Sequence, residues 1–316
     1  MNYIILFFIF FLGLIIGSFL NCLIWRLRKG EGMWNRSYCP KCRKQIAWYD
    51  NIPILSFILL GGKCRHCGKP ISWQYPIVEL ATGVLFVLTV ICPATSLCSL
   101  PTAPLWRSLA SGGAWWAGSR FGGDNLKFVP PLYYSLGGRD PARAVIIWSD
   151  FIIDPITNYQ LLITVVRDWF IIAVMIVIFI YDLRWNLILD KITLPACLVV
   201  FILNLTLGVS WLALVVSAAM GGGFFLIQFL VSRGKWIGGG DIRLGFLMGF
   251  SLGYPSHLIL AILAAYFIGS VTGLSLIISK KKKWNSEVPL GVFLTSATIF
   301  TIFWGDKVIN WYLGLF

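Results

Sequence analysis

Charge is what this chain has least of. Asp, Glu, Lys and Arg make up 12% of its 316 residues, against roughly 25% in soluble domains. With 58% of the residues hydrophobic, an ordinary soluble fold is excluded and a membrane protein is expected. Acids are the scarcer sign, 13 against 26 bases, for a formal net charge of +13. Most of those Lys and Arg flank apolar runs, the placement of topology determinants, so no nucleic-acid partner is expected. The first apolar run has no basic segment ahead of it and no small-residue cleavage site behind it. It therefore reads as an anchor and not as a cleaved signal peptide. Internal repeats, which usually accompany midplane acids in transporters, are also missing.

What is present is a series of hydrophobic runs. Residues 3–25 are long enough to span, since about 20 apolar residues cross the hydrocarbon core. Further runs cover 76–92, 163–181, 192–209, 211–231, 244–254, 258–279 and 288–303. Alternating directions then gather Arg26, Arg28 and Lys29, Arg184 and Lys191, Arg233, Lys235 and Arg243, and Lys280, Lys281, Lys282 and Lys283 on one side. The short connections on the other side, near Ser210 and Pro255, carry no Lys or Arg. Positive residues stay in the cytoplasm, so the expected fold is an all-α polytopic membrane protein of about eight transmembrane helices with both ends outside. The lysine run also suits anionic membrane lipid. The run 244–254 is too short to cross fully and predicts a re-entrant or thinned segment.

The expected order is a first transmembrane helix over 1–25, a cytoplasmic zinc-binding loop over 26–75, a second transmembrane helix over 76–92, an insertion over 93–160, and a membrane domain over 161–316. The insertion is rich in Gly, Ser, Pro, Trp and Arg. It is placed outside despite Arg107, Arg120, Arg139 and Arg143, because long loops escape the charge rule. Cys92 and Cys98 would then also lie outside, where a disulfide between them is open but unforced.

Cys39-Pro-Lys-Cys42 and Cys64-Arg-His-Cys67 are separated by 21 residues. Two such pairs on tight turns match the closed, tetrahedral geometry of structural zinc. Four sulfurs complete the shell without His66. With no open position, the metal should fold the loop and take no part in bond cleavage.

The stretch Gly238-Gly239-Gly240-Asp241-Ile242-Arg243 delivers a carboxylate to the mouth of the short run. Three glycines allow the backbone to bend and another chain to approach. Upstream, the run 163–181 ends at Asp182. Two acids at the same depth, each at the end of an apolar segment, point to a shared dyad in which one ionises while the other keeps a proton. Asp190, ahead of Ile192 and Thr193, reads as a helix start, and Asp168 falls at the outer end of its helix, on the wrong face. Arg243, two positions past Asp241, points to another side and reads as a snorkelling anchor. Glu79, just inside the second run, is a functional candidate that also suits a helix N-terminus.

In order along the chain, Gly17-Ser18-Phe19-Leu20-Asn21 with Arg26, the cysteine pairs, Asp50-Asn51-Ile52-Pro53-Ile54-Leu55-Ser56, Ile71-Ser72 with Tyr75-Pro76-Ile77-Val78-Glu79, Asp182-Leu183-Arg184 and the Gly-x-Gly-Asp stretch resemble the bacterial type IV prepilin peptidases. These are leader peptidase/N-methyltransferases of the bacterial inner membrane. The resemblance covers residues 1–92 and about 165–300. It implies cleavage of the basic leader of prepilins and pseudopilins after a glycine, on the cytoplasmic face. It also implies methylation of the new N-terminal residue from S-adenosylmethionine. The family's catalytic aspartates correspond to Asp182 and Asp241, with Gly238, Gly239, Gly240, Arg243 and Glu79 as supporting positions and zinc on Cys39, Cys42, Cys64 and Cys67. Two positions depart from the family pattern: Arg243 stands where Lys is usual, and Val288-Pro289-Leu290-Gly291-Val292 stands where Ile-Pro-Phe-Gly-Pro is usual. The insertion has no counterpart there, and no glycine-rich loop of soluble methyltransferases is present. The rival classes are a polytopic transporter and a zinc-ribbon membrane scaffold. The first would usually place its acids at the bilayer midplane, and the second would tolerate loss of both aspartates.

Overall fold

A computed structural model of the chain describes residues 3–32, 36–92, 155–279 and 289–315. The segment 93–154, with Cys98 and the four arginines of the expected insertion, and the lysine run 280–283 lie outside the described residues, as do the side chains of 155–158. Every regular element among the described residues is helical: α1 Tyr3–Lys29, α2 Leu55–Leu59, α3 Gln74–Ile91, α4 Pro155–Trp185, α5 Asp190–Thr206, α6 Trp211–Ser232, α7 Gly239–Leu252, α8 Pro255–Ile278 and α9 Leu290–Leu313.

Helix α4 is the wall shared by two cores. Its residues Ile171, Val174, Met175 and Ile178, spaced three and four apart, pack with Ala196 and Val200 of α5, Phe225 of α6, Leu244 and Met248 of α7, Ala261 of α8 and Leu294 of α9. Its opposite side, Ile172, Ile176, Val177, Ile180 and Tyr181, packs with Leu20 and Ile24 of α1 and Val78 and Phe86 of α3. A helix that is apolar all round must be covered all round. Around it, the outward faces of α1, α6 and α8 expose Phe7, Phe8, Ile227, Leu263 and Phe267, side chains suited to lipid.

Among the described residues six helices, α1, α3, α4, α6, α8 and α9, are long and apolar enough to cross a membrane. The two remaining runs of the expected eight form shorter helices, α5 with 17 residues and α7 with 14. At 1.5 Å per residue α7 is about 21 Å long, short of the ~30 Å hydrocarbon core. Its C-terminal end is held by a polar network. Arg167 donates to Asp168 Oδ1 at 2.9 and 2.7 Å and to Asn204 Oδ1 at 3.1 Å. Asn204 in turn donates to the Phe250 carbonyl at 2.7 Å, in the last turn of α7. Arg167 and Asp168 are only 1% and 2% exposed. Asp168 is thus neutralised in place, about 21 Å along α4 from Asp182 at the same rise per residue.

Small residues let two helix pairs touch through their backbones, the usual solution where lipid gives no hydrophobic drive for association. A Cβ added at Gly13 would lie 2.7 Å from Gly83 Cα, joining α1 to α3. One added at Gly245 of α7 would lie 2.6 Å from the Gly221 carbonyl oxygen of α6, and one at Gly249 2.4 Å from Ala218 Cα. Gly245→Val should therefore lower the thermal unfolding midpoint of the purified protein in detergent, reflecting an overpacking cost of about 1–3 kcal/mol or more. Gly223→Ala, whose Cβ meets nothing within 4 Å, should leave that midpoint in place. A Gly245→Val protein that melts like the wild type would contradict this packing.

Candidate active site and metal centre

After α6, Arg233 and Gly234 adopt left-handed conformations, φ 52° and 74°, and turn the chain back. Gly238 is extended at the N-cap of α7, which places Asp241 at the third helical position. There its Oδ2 accepts the Gly238 N–H at 3.1 Å, the return bond of a capping box. The three glycines differ in what they permit. A Cβ at 239 meets nothing, one at 238 would sit 3.6 Å from Asp241 Oδ2, and one at 240 would lie 2.8 Å from Ile188 Cβ. Only Gly240 is required by a close approach.

Asp182 lies in the last turn of α4. Its Oδ2 accepts the Val292 N–H at 3.1 Å, at the start of α9, where unpaired amides and the helix dipole favour an anion. A Cβ at Gly291 would stand 2.7 Å from the same oxygen and 3.3 Å from Ile188 Cδ1. Ile188 thus touches the glycine beside each acid. Asp241 lies within range of the Asp182 charge, and both carboxylates are largely buried, Asp182 at 5% and Asp241 at 9% exposure. Tyr266, which donates to Gln228 Oε1 at 2.9 Å, is also within electrostatic range of Asp241.

The other singled-out residues fall elsewhere. Arg243 pairs with Asp190, which opens α5, and both are substantially exposed. Glu79 is 6% exposed on the far side of α4. It accepts the Ile54 N–H at 2.8 Å. Ile54 has φ +59°, a conformation that costs a β-branched residue on the order of 1–3 kcal/mol. Ile188, Gly291, Val292, Gln228 and Tyr266 were not identified as part of the aspartate neighbourhood from sequence. The Val288-Pro289-Leu290-Gly291-Val292 stretch, singled out only as a departure from the family pattern, was the one signal for any of them.

The two cysteine turns repeat one geometry. Tyr38 bridges Gln45 and Lys63 bridges Pro70. The Cys39 N–H donates to the Lys44 carbonyl and the Cys64 N–H to the Lys69 carbonyl, both at 2.9 Å. Four residues after each first cysteine, Arg43 and Gly68 carry φ of 58° and 63°. The ligand atoms of Cys39, Cys42, Cys64 and Cys67 lie within 4.8 Å of one another, while sulfurs 2.3 Å from a tetrahedral zinc stand about 3.8 Å apart. The Cys67 and His66 amides lower the Cys64 thiol pKa, while burial and the neighbouring thiols raise that of Cys42. The set fits a structural metal ion. Arg65, inside the second pair, grips Asp50 with bonds of 2.8 and 2.6 Å. That grip holds the Asp50 carboxyl below its usual range and pins the metal loop to the segment leading to Ile54.

The model of the bacterial peptidase A24 N-terminal domain matches residues 11–92, and that of the type IV leader peptidase family matches residues 169–274. The chain belongs to the type IV leader peptidase family. Relatives named prepilin leader peptidase/N-methyltransferase include those of Aeromonas hydrophila, 27% identical with 98% of this chain and 93% of the relative covered, and of Bacillus subtilis, 27% identical with 97% of each covered. A Klebsiella pneumoniae relative is 52% identical over 88 residues, which span 26% of this chain but only 39% of that protein. No solved structure matches. The matched regions hold all four cysteines, Glu79 and both aspartates.

Metal analysis of the purified protein should find one zinc per chain, absent when Cys39 and Cys64 are both changed to Ser. A ratio that survives the double change would refute these ligands.

Proposed function

We propose that the chain is a membrane aspartyl endopeptidase that removes the leader peptide of type IV prepilins or pseudopilins on the cytoplasmic side. It then N-methylates the new N-terminal residue with S-adenosylmethionine as methyl donor. The observation that carries the peptidase reading is the meeting of Asp182 and Asp241. They come from separate helices, are buried without a basic partner among the described residues, and flank Ile188, which packs against the glycine next to each of them. The relatives' shared name supports the second activity.

In this reading one carboxylate, ionised, takes a proton from water as its oxygen bonds to the scissile carbonyl carbon. The other, protonated, polarises the carbonyl oxygen. Collapse breaks the C–N bond, and the departing amine takes a proton from the dyad. The substrate is a hydrophobic helix preceded by a basic leader. The bilayer presents the helix laterally, while the leader stays at the wet end beside the short α7. Cytoplasmic orientation is supported by Arg26, Arg28 and Lys29 in the last turn of α1, at the end where α4 carries Asp182. Arg28 lies 5.5 Å over the Trp185 ring there. The four-cysteine site has the closed donor set of a structural metal, and the hydrolytic step is assigned to the aspartates.

Cleavage of a prepilin, read by N-terminal mass, should fall by a factor on the order of 10²–10⁴ in Asp182→Asn and in Asp241→Asn, with both proteins still inserted. Asp190→Asn should keep most activity. Full processing by either dyad variant would sink the proposal. Gly291→Ala, which crowds Asp182 Oδ2, should slow cleavage by about tenfold or more, since small misplacements of reacting groups are costly. Its zinc content should not change.

A further inference from the structure

Much of what α6 and α8 show to the lipid is apolar, Ile227, Leu263 and Phe267 among it. One hydrogen-bonded pair breaks that pattern. The Tyr266 hydroxyl of α8 donates to Gln228 Oε1 of α6 at 2.9 Å, and Tyr266 is 37% exposed. Ser270, Thr272 and Ser275, also on α8, behave differently, since each donates to a carbonyl of its own helix. Whichever way the Gln228 amide is turned, the bond to Tyr266 engages one of its ends. The other end has no partner among the described residues. Polar groups left at membrane depth are costly and mark functional sites.

The pair lies at the depth of Asp241. Gly253 and Tyr254 turn the chain between α7 and α8, and Leu258, Ala261 and Ala265 pack α8 back into the core that holds Leu244 and Met248 of α7. Asp241 stands eleven residues before the end of α7, and Tyr266 eleven residues after the start of α8. At 1.5 Å per residue each is about 16.5 Å from the turn, and Tyr266 comes within range of the Asp241 charge. Phe224 of α6 meets the Tyr266 ring edge-on, with centroids 6.1 Å apart, so the hydroxyl is held between the two helices.

Hydrolysis at this depth sets a requirement. The scissile carbonyl of a helical substrate is reached only where its helix unwinds. Every backbone N–H and C=O freed by unwinding then needs a partner, because the bilayer offers none. The dyad serves the scissile carbonyl itself. Its neighbours need a donor and an acceptor, and a tyrosine hydroxyl and a glutamine amide can each act as both.

We propose that Tyr266 and Gln228 bind the unwound backbone of the substrate beside the scissile bond, as the substrate helix comes in from the lipid between α6 and α8. The inference rests on the peptidase half of the proposed function. On entry the Tyr266–Gln228 bond is exchanged for bonds to the substrate, like for like, so the exchange itself costs little. Leu263, one turn before Tyr266, then meets the apolar helix that follows the cleavage site.

The test begins with cleavage kinetics of a purified prepilin by the full-length protein in detergent. Tyr266→Phe, which keeps the ring, and Gln228→Leu should each lower kcat/KM about tenfold. The pH profile of the rate and the thermal unfolding midpoint should not move. A pair that only joins two helices would lower the midpoint and spare cleavage by the folded protein, and a pair that only tunes Asp241 would shift the pH profile. Either result overturns the inference. Contact is read by photocross-linking in the Asp241→Asn background. A p-benzoylphenylalanine in place of Leu263 should label the prepilin within its hydrophobic helix, and one in place of Leu198, exposed on α5, should not. Absence of label from position 263, or equal label from both positions, overturns the contact. Cleavage by Asp241→Asn would instead remove the peptidase reading, and the inference with it.

Discussion

A carboxylate at a membrane boundary needs hydrogen-bond donors, and for Asp182 they come from the first turn of a helix 110 residues further along the chain. The Val292 amide supplies the bond, and only a glycine at 291 leaves room for the oxygen that receives it. Much of the arrangement follows from this contact. It brings the start of α9 against the end of α4, and Ile188 fills the space between Gly291 and Gly240. The capping glycines of α7 then hold Asp241 at the same place. Because α4 is buried on both sides, Asp182 cannot drift away from α9 without disturbing two cores.

The depth of Asp241 is fixed from the opposite end of α7. Asn204 binds the Phe250 carbonyl, and Arg167 binds Asn204 and Asp168. Burying an ion pair is weak evidence for stability, because desolvation offsets most of the attraction. What the network does supply is a definite stopping point: a helix of about 21 Å held at its C-terminal end cannot slide to centre itself in a ~30 Å core. Backbone contact with α6 at Gly221 and Gly245 removes sideways freedom as well. The glycine content of this region therefore serves rigidity as much as bending.

The features legible in the sequence were those with short-range signatures. The cysteine spacing gave the two turns, the apolar runs gave the helices, and the ends of two runs marked Asp182 and Asp241. Partners made of backbone had no such signature. The Val292 amide and the Ile54 amide are invisible in side-chain chemistry, and a left-handed isoleucine is not something composition would propose. The Arg167–Asp168 pair was missed for a different reason. Adjacent residues on a helix do not face each other, and only a long guanidinium folding back along α4 brings them together. The helix ends also moved. α1 runs on to Lys29 and α9 to Leu313, because basic and aromatic residues end an apolar run without ending a helix.

The last turn of α4 joins the two halves of the molecule through helical geometry alone. At about 100° per residue, Asp182 and Arg184 leave the axis on nearly opposite sides. Asp182 reaches α9 in the core formed by α5 to α9. Arg184 reaches Ser72, at 3.4 Å, in the loop that carries the cysteines, and Trp185 lies tilted against Tyr181 and under Arg28. A change in this turn would thus be felt on both sides, whereas a change in the metal loop reaches Asp182 only through a helix packed along its length. That asymmetry is why loss of the metal is expected to loosen the loop before it disturbs the aspartates.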